Sequence, residues 1–159
     1  MMTSLHPPSM ILKQLLISNN VGVDVDANCD LALNEEAKDW LIYISHKPDA
    51  DNVPDNIIVI YDTEGTKDGR LMAGTSILHP GCQIVIRSDT YTGGWAKIRE
   101  VLNLFETVLR TPVTVDTTTY ELQNISITSP ILPLGIAEGD TKRRDLFSLN
   151  TLLTINENE

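Results

Sequence analysis

Asp24, Asp26, Asn28 and Asp30 stand at alternate positions, and Glu35 follows Asp24 by eleven residues. These match positions 1, 3, 5, 7 and 12 of a calcium loop, where oxygen ligands converge because the chain coils round the ion. Position 6 of such a loop needs glycine for its sharp turn, and here it holds Cys29. Val21-Gly22-Val23 precedes the run in place of a helix end, and a strand-like run follows it. A calcium-binding module over residues 24–35 therefore competes with a plain solvated acidic loop. The sequence favours the loop, with no metal bound.

The other chemically able side chains are scattered. His6, His46 and His79 lie far apart, and none has a second ligand three or four residues away. Cys29 and Cys82 form neither a CxxC pair nor a zinc spacing, and read as two free thiols in a reducing compartment. No GxSxG is present, and Glu64-Gly65-Thr66-Lys67-Asp68-Gly69 lacks the pattern of a phosphate-binding loop. Catalytic residues and cofactors are therefore not expected. Arg143-Arg144, with Lys142 beside them, form the one basic cluster. Such a pair is usually a solvated turn, and on an acidic protein it can also receive a partner's carboxylates.

The elements that would carry these residues follow from periodicity. Ser9 can cap a short helix over residues 10–18, with Met10, Leu12, Leu15 and Leu16 on its apolar side. Trp40 to Ile44 reads as a strand, and Ile57 to Tyr61 as a central strand, apolar on both faces. Residues 64–81 show little periodicity and read as a long loop leading into the strand Cys82–Arg87. The longest helix is expected over 95–110. Trp95, Ile98, Val101, Leu102, Phe105, Val108 and Leu109 make its buried side, Glu106 pairs with Arg110, and Pro112 ends it. Alternation then marks strands at 113–120, 122–127 and 147–155, with a proline-rich edge or connection at 129–135. The sum is one α+β domain over residues 1–159, with a core at about 9–156. A mostly antiparallel or mixed sheet packs against two helices, and the acidic end at 156–159 frays.

Composition narrows the function classes. With 12 basic and 22 acidic residues the net charge is −10. Wrapping DNA phosphates needs clustered Lys and Arg, so specific DNA binding is not expected. No apolar run reaches the length of a membrane span, and Met1 to Pro8 lacks the basic-then-apolar layout of a signal peptide.

Several stretches, in order, resemble the minor capsid or tail terminator proteins of long-tailed bacteriophages. They are Trp40–Ile44 with Pro48 and Pro54-Asp55-Asn56, then Ile57–Asp62 with Gly65. Gly69-Arg70-Leu71-Met72 leads to Gly81–Arg87, Tyr91 precedes the Lys97-Ile98 helix, and Arg143–Asn150 closes the series. The resemblance runs from about residue 40 to 155, and it marks a fold without a catalytic centre. It implies a non-enzymatic virion protein of the tail or neck, made in the host cytoplasm and assembling as a ring, often a hexamer. The ring sits on the head-proximal end of the tail tube, stops tube polymerisation and offers the head-joining surface. The implied partners are other copies of the chain, the tail tube protein and a head-completion or connector protein, with no membrane. DNA passes through the lumen, where an excess of acid is expected to prevent gripping by like-charge repulsion. A head-completion or other neck protein is the neighbouring alternative. Arg70, Leu71, Met72, Arg87, Tyr91, Arg143 and Arg144 are the expected interface residues, and the 64–81 segment is expected to touch a neighbour in the ring.

Overall fold

A computed structural model describes residues 6–24, 40–47, 53–70 and 76–157. Its elements in chain order are α1 (Pro8–Ser18), β1 (Val23–Asp24), β2 (Leu41–Ile44), β3 (Ile57–Arg70), β4 (Ser76–Ser88), α2 (Tyr91–Thr107), β5 (Thr111–Val115), β6 (Thr118–Ile127), β7 (Leu132–Ile136) and β8 (Asp145–Glu157). The strands form one mixed sheet in the order β1-β2-β3-β4-β8-β6-β5, with β7 also paired to β8. β1, β2 and β3 run parallel to one another, and the remaining pairs are antiparallel. This is the α+β arrangement that the sequence predicts.

Both helices lie on one face of the sheet. α1 meets strands β1 to β5, and α2 meets β4, β6 and β8. Ile11, Leu12, Leu15 and Leu16 of α1, and Ile98, Val101 and Phe105 of α2, are buried against Ile58, Ile60, Ile84, Ile86, Phe147, Leu149 and Leu153. Each large side chain so buried contributes roughly 1.5–3 kcal/mol. The opposite face carries a smaller cluster of Leu41, Tyr43, Val53, Ile57 and Val59. β3 supplies both clusters, which is why Ile57 to Ile60 is apolar without alternation.

Helix α1 is capped from outside its own sequence. Pro7 stands at the N-cap position with an extended backbone, and its side chain accepts nothing. Ser9, expected as the cap, lies inside the first turn. Its N–H donates to Asp62 Oδ1 at 2.9 Å and its hydroxyl to Asp62 Oδ2 at 2.7 Å. A carboxylate on β3 thus takes the capping role and sits where the helix dipole favours negative charge.

Helix α2 begins and ends earlier than its apolar pattern suggests. Thr90 Oγ1 accepts from the Gly93 N–H at 3.2 Å and fixes the start at Tyr91. Val108 is already extended, so Leu109 is exposed and Arg110 lies beyond the helix with a φ of 48°. The expected Glu106–Arg110 helical pair is therefore not formed within α2. Lys97 instead meets Glu100 at 2.9 Å, donates to the Val21 carbonyl at 3.1 Å and lies over the Trp40 ring.

Two strand readings need correction. The supposed loop at 64–81 is largely hairpin: β3 runs on to Arg70 and β4 starts at Ser76. Glycines hid the strand period. A Cβ on Gly65 would stand 2.1 Å from the His79 carbonyl oxygen, so the close cross-strand approach beside the register shift at Thr63/Thr66 requires glycine there. The run 113–120 is two strands, because Asp116 turns the chain with a φ of 52° and pairs Val115 with Thr118.

Asp62→Ala is expected to lower unfolding free energy by about 0.5–2 kcal/mol in urea titration, the usual cost of a lost cap. An unchanged midpoint would show that Asp62 does not hold α1.

Candidate functional site

Two surfaces stand out among the described residues, on opposite faces of β8. The first is a polar cavity of about 240 Å³ lined by Lys47, Arg87, Ala137, Glu138, Gly139, Asp140, Arg144 and Leu146. Arg87 on β4 is the register partner of Leu146 on β8, which brings the middle of the chain to its C-terminal third. Arg87 is 2% exposed. It donates through Nε to the Asp55 carbonyl at 3.2 Å and through Nη2 to the Pro54 carbonyl at 3.0 Å. Arg144 is buried as well. It grips Asp140 with two parallel bonds, Nε to Oδ2 and Nη2 to Oδ1, each 3.1 Å, and reaches Asp55 at 3.5 Å. Planar fork-on-carboxylate geometry of this kind is specific to arginine.

Asp140 also accepts from the backbone N–H groups of Lys142 and Arg144. It therefore closes the turn between β7 and β8 and aims Arg144 inward. The hydrogen bond from Arg144 is the main cause that lowers the Asp140 carboxyl from 3.8 to about 2. Lys142 adds a looser contact with Asp55 at 3.6 Å.

The second surface is apolar. Phe147 on β8 is fully buried, yet its ring is met by two exposed aromatics of α2. Tyr91 lies 5.2 Å from it, tilted, and Trp95 lies 6.1 Å away, edge-on. Gly94 permits this approach, since a Cβ there would sit 2.5 Å from Phe147 Cε2. Tyr91, Thr92 and Trp95 line a shallow apolar depression. Pro133 of β7 is the register partner of Phe147, whereas Leu132 opposes Ser148 and so lies on the other face; Leu132, Leu134 and Ile136 are 53%, 47% and 43% exposed along this edge. Among the described residues β7 pairs with β8 alone, so its outer edge presents backbone donors and acceptors.

The structure brings Arg87 and Arg144 into one cavity, places Arg143 exposed on the adjacent turn, and puts Tyr91 on the other face. Arg70 ends β3, while Leu71 and Met72 lie outside the described residues. Of the calcium-loop positions, Asp24 is in β1 with Lys13 Nζ 2.9 Å from its carboxylate. Asp26, Asn28, Asp30 and Glu35 lie outside the described residues. Cys82 is buried, and burial pushes its thiol up, with Asp62 nearby adding to the effect, so the nucleophilic thiolate is disfavoured. His6 bridges the Tyr120 hydroxyl at 2.7 Å and Asp116 at 3.1 Å, tying the chain before α1 to the β5–β6 turn.

No protein-family model matches the chain, and no curated protein matches it. Among solved structures, a chain from the virion of a native gene transfer agent particle superposes with a TM-score of 0.52 at 8% identity, covering 94% of each chain. The two chains share a fold.

Sequence reasoning missed Lys47, Asp140, Trp95 and Phe147 as surface-forming residues. Trp95 fits the helical period and was assigned to the core. It stays 39% exposed because it stands one turn after Tyr91 in α2, at the rim of the packed face. The i, i+4 spacing of Asp140 and Arg144 was the available signal for the clasp.

Asp140 has a depressed carboxyl in the folded state, so its contribution is complete above about pH 4 and is lost as pH falls through about 2. Asp140→Asn is expected to be less stable than wild type by a constant margin above pH 5, with the margin closing between pH 4 and 2. A margin independent of pH in urea titrations across that window would contradict the clasp.

Proposed function

We propose that the protein is a structural, non-enzymatic component of a phage-like virion, a tail terminator that assembles as a ring on the head-proximal end of the tail tube. Four features support the reading. The fold likeness runs through nearly the whole of both chains, and the neighbour belongs to a virion. The ordered motifs of residues 40–155 resemble that family. Burial holds the Cys82 thiol protonated, which disfavours it as a nucleophile. Above all, an acidic chain exposes an uncharged edge strand, paired to the same Phe147 that two exposed aromatic rings meet.

That edge is the observation that carries the proposal. Edge strands usually avoid pairing through short length, proline, bulges or charge, and β7 has five residues, Pro133 and a bulge between Pro133 and Gly135, which leaves charge as the device it lacks. β7 and its flank, Ile131 to Ala137, carry no charge. Its exposed Leu132, Leu134 and Ile136 give the edge apolar side chains that a paired neighbour would cover. A ring needs a heterologous contact, so the edge faces a different surface of the next copy. The β3–β4 hairpin is the natural complement. Among the described residues, β2 pairs with β3 only over Ile57–Ile60 and β8 pairs with β4 only over Gly81–Ser88, so the distal hairpin continues as a two-stranded ribbon there. Such a ribbon is marginal by itself and gains from a neighbour. In the ring, the tail tube protein and a head-completion protein would take the two outer faces, and DNA would pass an acidic lumen without specific binding.

Leu134→Asp, and separately deletion of residues 70–75, should each leave a folded monomer and lower the assembled fraction at least tenfold in sedimentation velocity. Unchanged assembly in both would remove these surfaces from the contact. Electron microscopy of particles lacking the protein should show overlong tail tubes. Tails of normal length that fail to join heads would instead identify a neck connector, and normal joined particles would reject both.

A further inference from the structure

The connection between α2 and β5 holds one apolar side chain away from the protein. Val108 is buried with an extended backbone, and Arg110 takes a φ of 48°, a left-handed conformation that costs an arginine energy. The Arg110 N–H donates to the Gln123 carbonyl at 3.2 Å, which pins this strained residue to β6. Leu109 stands between the two and is 77% exposed, more than any other large apolar residue described. A lone exposed leucine needs no explanation. A leucine fixed outward by a strained neighbour does, because such strain persists where the surrounding structure enforces it and gathers at functional positions. The Arg110 side chain is exposed beside it and, among the described residues, is in no ion pair.

The start of α2 offers the complement. Tyr91, Thr92 and Trp95 line the shallow apolar depression, and Asp89 is exposed just before them. The Asp89 N–H donates to Asn56, while its carboxylate is likewise in no ion pair among the described residues. One end of the helix thus carries a leucine and a guanidinium, and the other carries two aromatic rings and a carboxylate. Rings accept both an aliphatic side chain and a cation, and the carboxylate accepts the guanidinium. Tyr, Trp and Arg are also the residues that dominate binding at interfaces.

The two ends cannot meet within one chain. α2 has 17 residues. At ~1.5 Å per residue it is about 25 Å long, near the diameter of a small domain. Different surfaces at opposite ends of one element are what a head-to-tail contact between copies needs. Between the ends, the exposed positions Arg99, Asn103 and Glu106 are polar, so no continuous apolar stripe is offered for packing two α2 helices side by side.

We propose that the Leu109–Arg110 tip of one copy docks in the Tyr91–Trp95 depression of a second copy, with Leu109 against the rings and Arg110 paired with Asp89. The proposal rests on the self-assembling reading above and gives it a contact separate from the β7 edge. The apolar part supplies strength, and the charged part fixes orientation and weakens with salt.

Sedimentation velocity of the full chain tests it. Leu109→Ser and Tyr91→Ala should each weaken association roughly tenfold. Arg110→Asp and Asp89→Arg should each do the same, and both reversals in one chain should restore association to within about threefold of wild type. Aspartate tolerates the positive φ at position 110, and circular dichroism checks that every variant folds. Losses that simply add in the doubly reversed chain overturn the pairing, and unchanged association of Leu109→Ser or Tyr91→Ala overturns the docking. Leu102 lies midway between Trp95 and Leu109 in sequence. Disulfide-linked dimers of Leu102→Cys, made together with Cys29→Ser, would show two α2 helices packed about a two-fold axis and would also overturn the tip contact. Assembly that ignores all these changes leaves the terminator reading standing. Conversely, normal joined particles without the protein would sink that reading and leave the rescue by charge reversal intact.

Discussion

Phe147 is the contact on which the arrangement turns. Its ring is fully buried under the first turn of α2, and Gly94 leaves just enough room for it. Any side chain at position 94 would force the helix off the sheet or the ring out of its site. The same residue lies on β8, the strand that joins β4 on one side to both β6 and β7 on the other. One aromatic therefore sets the helix against the sheet, meets Tyr91 and Trp95 at the rim and pairs with Pro133 of the β7 edge. Its strand neighbour Leu146 faces the opposite way, into the cavity framed by Arg87 and Arg144. Alternation along a strand thus gives two adjacent residues to two different surfaces.

The division of chemistry between those surfaces is marked. On the helix side the exposed part is aromatic, and the β7 edge beyond it carries aliphatic side chains and an open backbone. On the other side it is ionic, with guanidinium groups immobilised by backbone carbonyls and by Asp140. Hydrophobic burial with strand pairing supplies strength that salt does not screen. Ion pairing supplies orientation and on-rate, and it is screened.

Much of the fold was readable from residue pattern. The two helices, the buried strand at Ile57–Ile60 and the long C-terminal strand follow from periodicity and apolar content. What escaped the pattern has physical reasons. The distal β3–β4 hairpin carries glycines demanded by close backbone approach, and glycine gives no period to read. The Asp116 turn is hidden in a run of alternating threonines and valines, since a single positive φ interrupts pairing without interrupting alternation. The cap of α1 comes from Asp62, 53 residues away, which no local signal discloses. The basic pair at 143–144 was visible, but its split into one exposed and one buried arginine depends on Asp140 and Asp55 meeting in space.

The central claim is that this chain closes on itself through complementary, non-identical surfaces. Native mass spectrometry of the purified protein over a range of concentrations tests it most directly. The account predicts a closed oligomer of a single stoichiometry in equilibrium with monomer and without a ladder of larger species. A monomer at every concentration, or an open series of sizes, would contradict it.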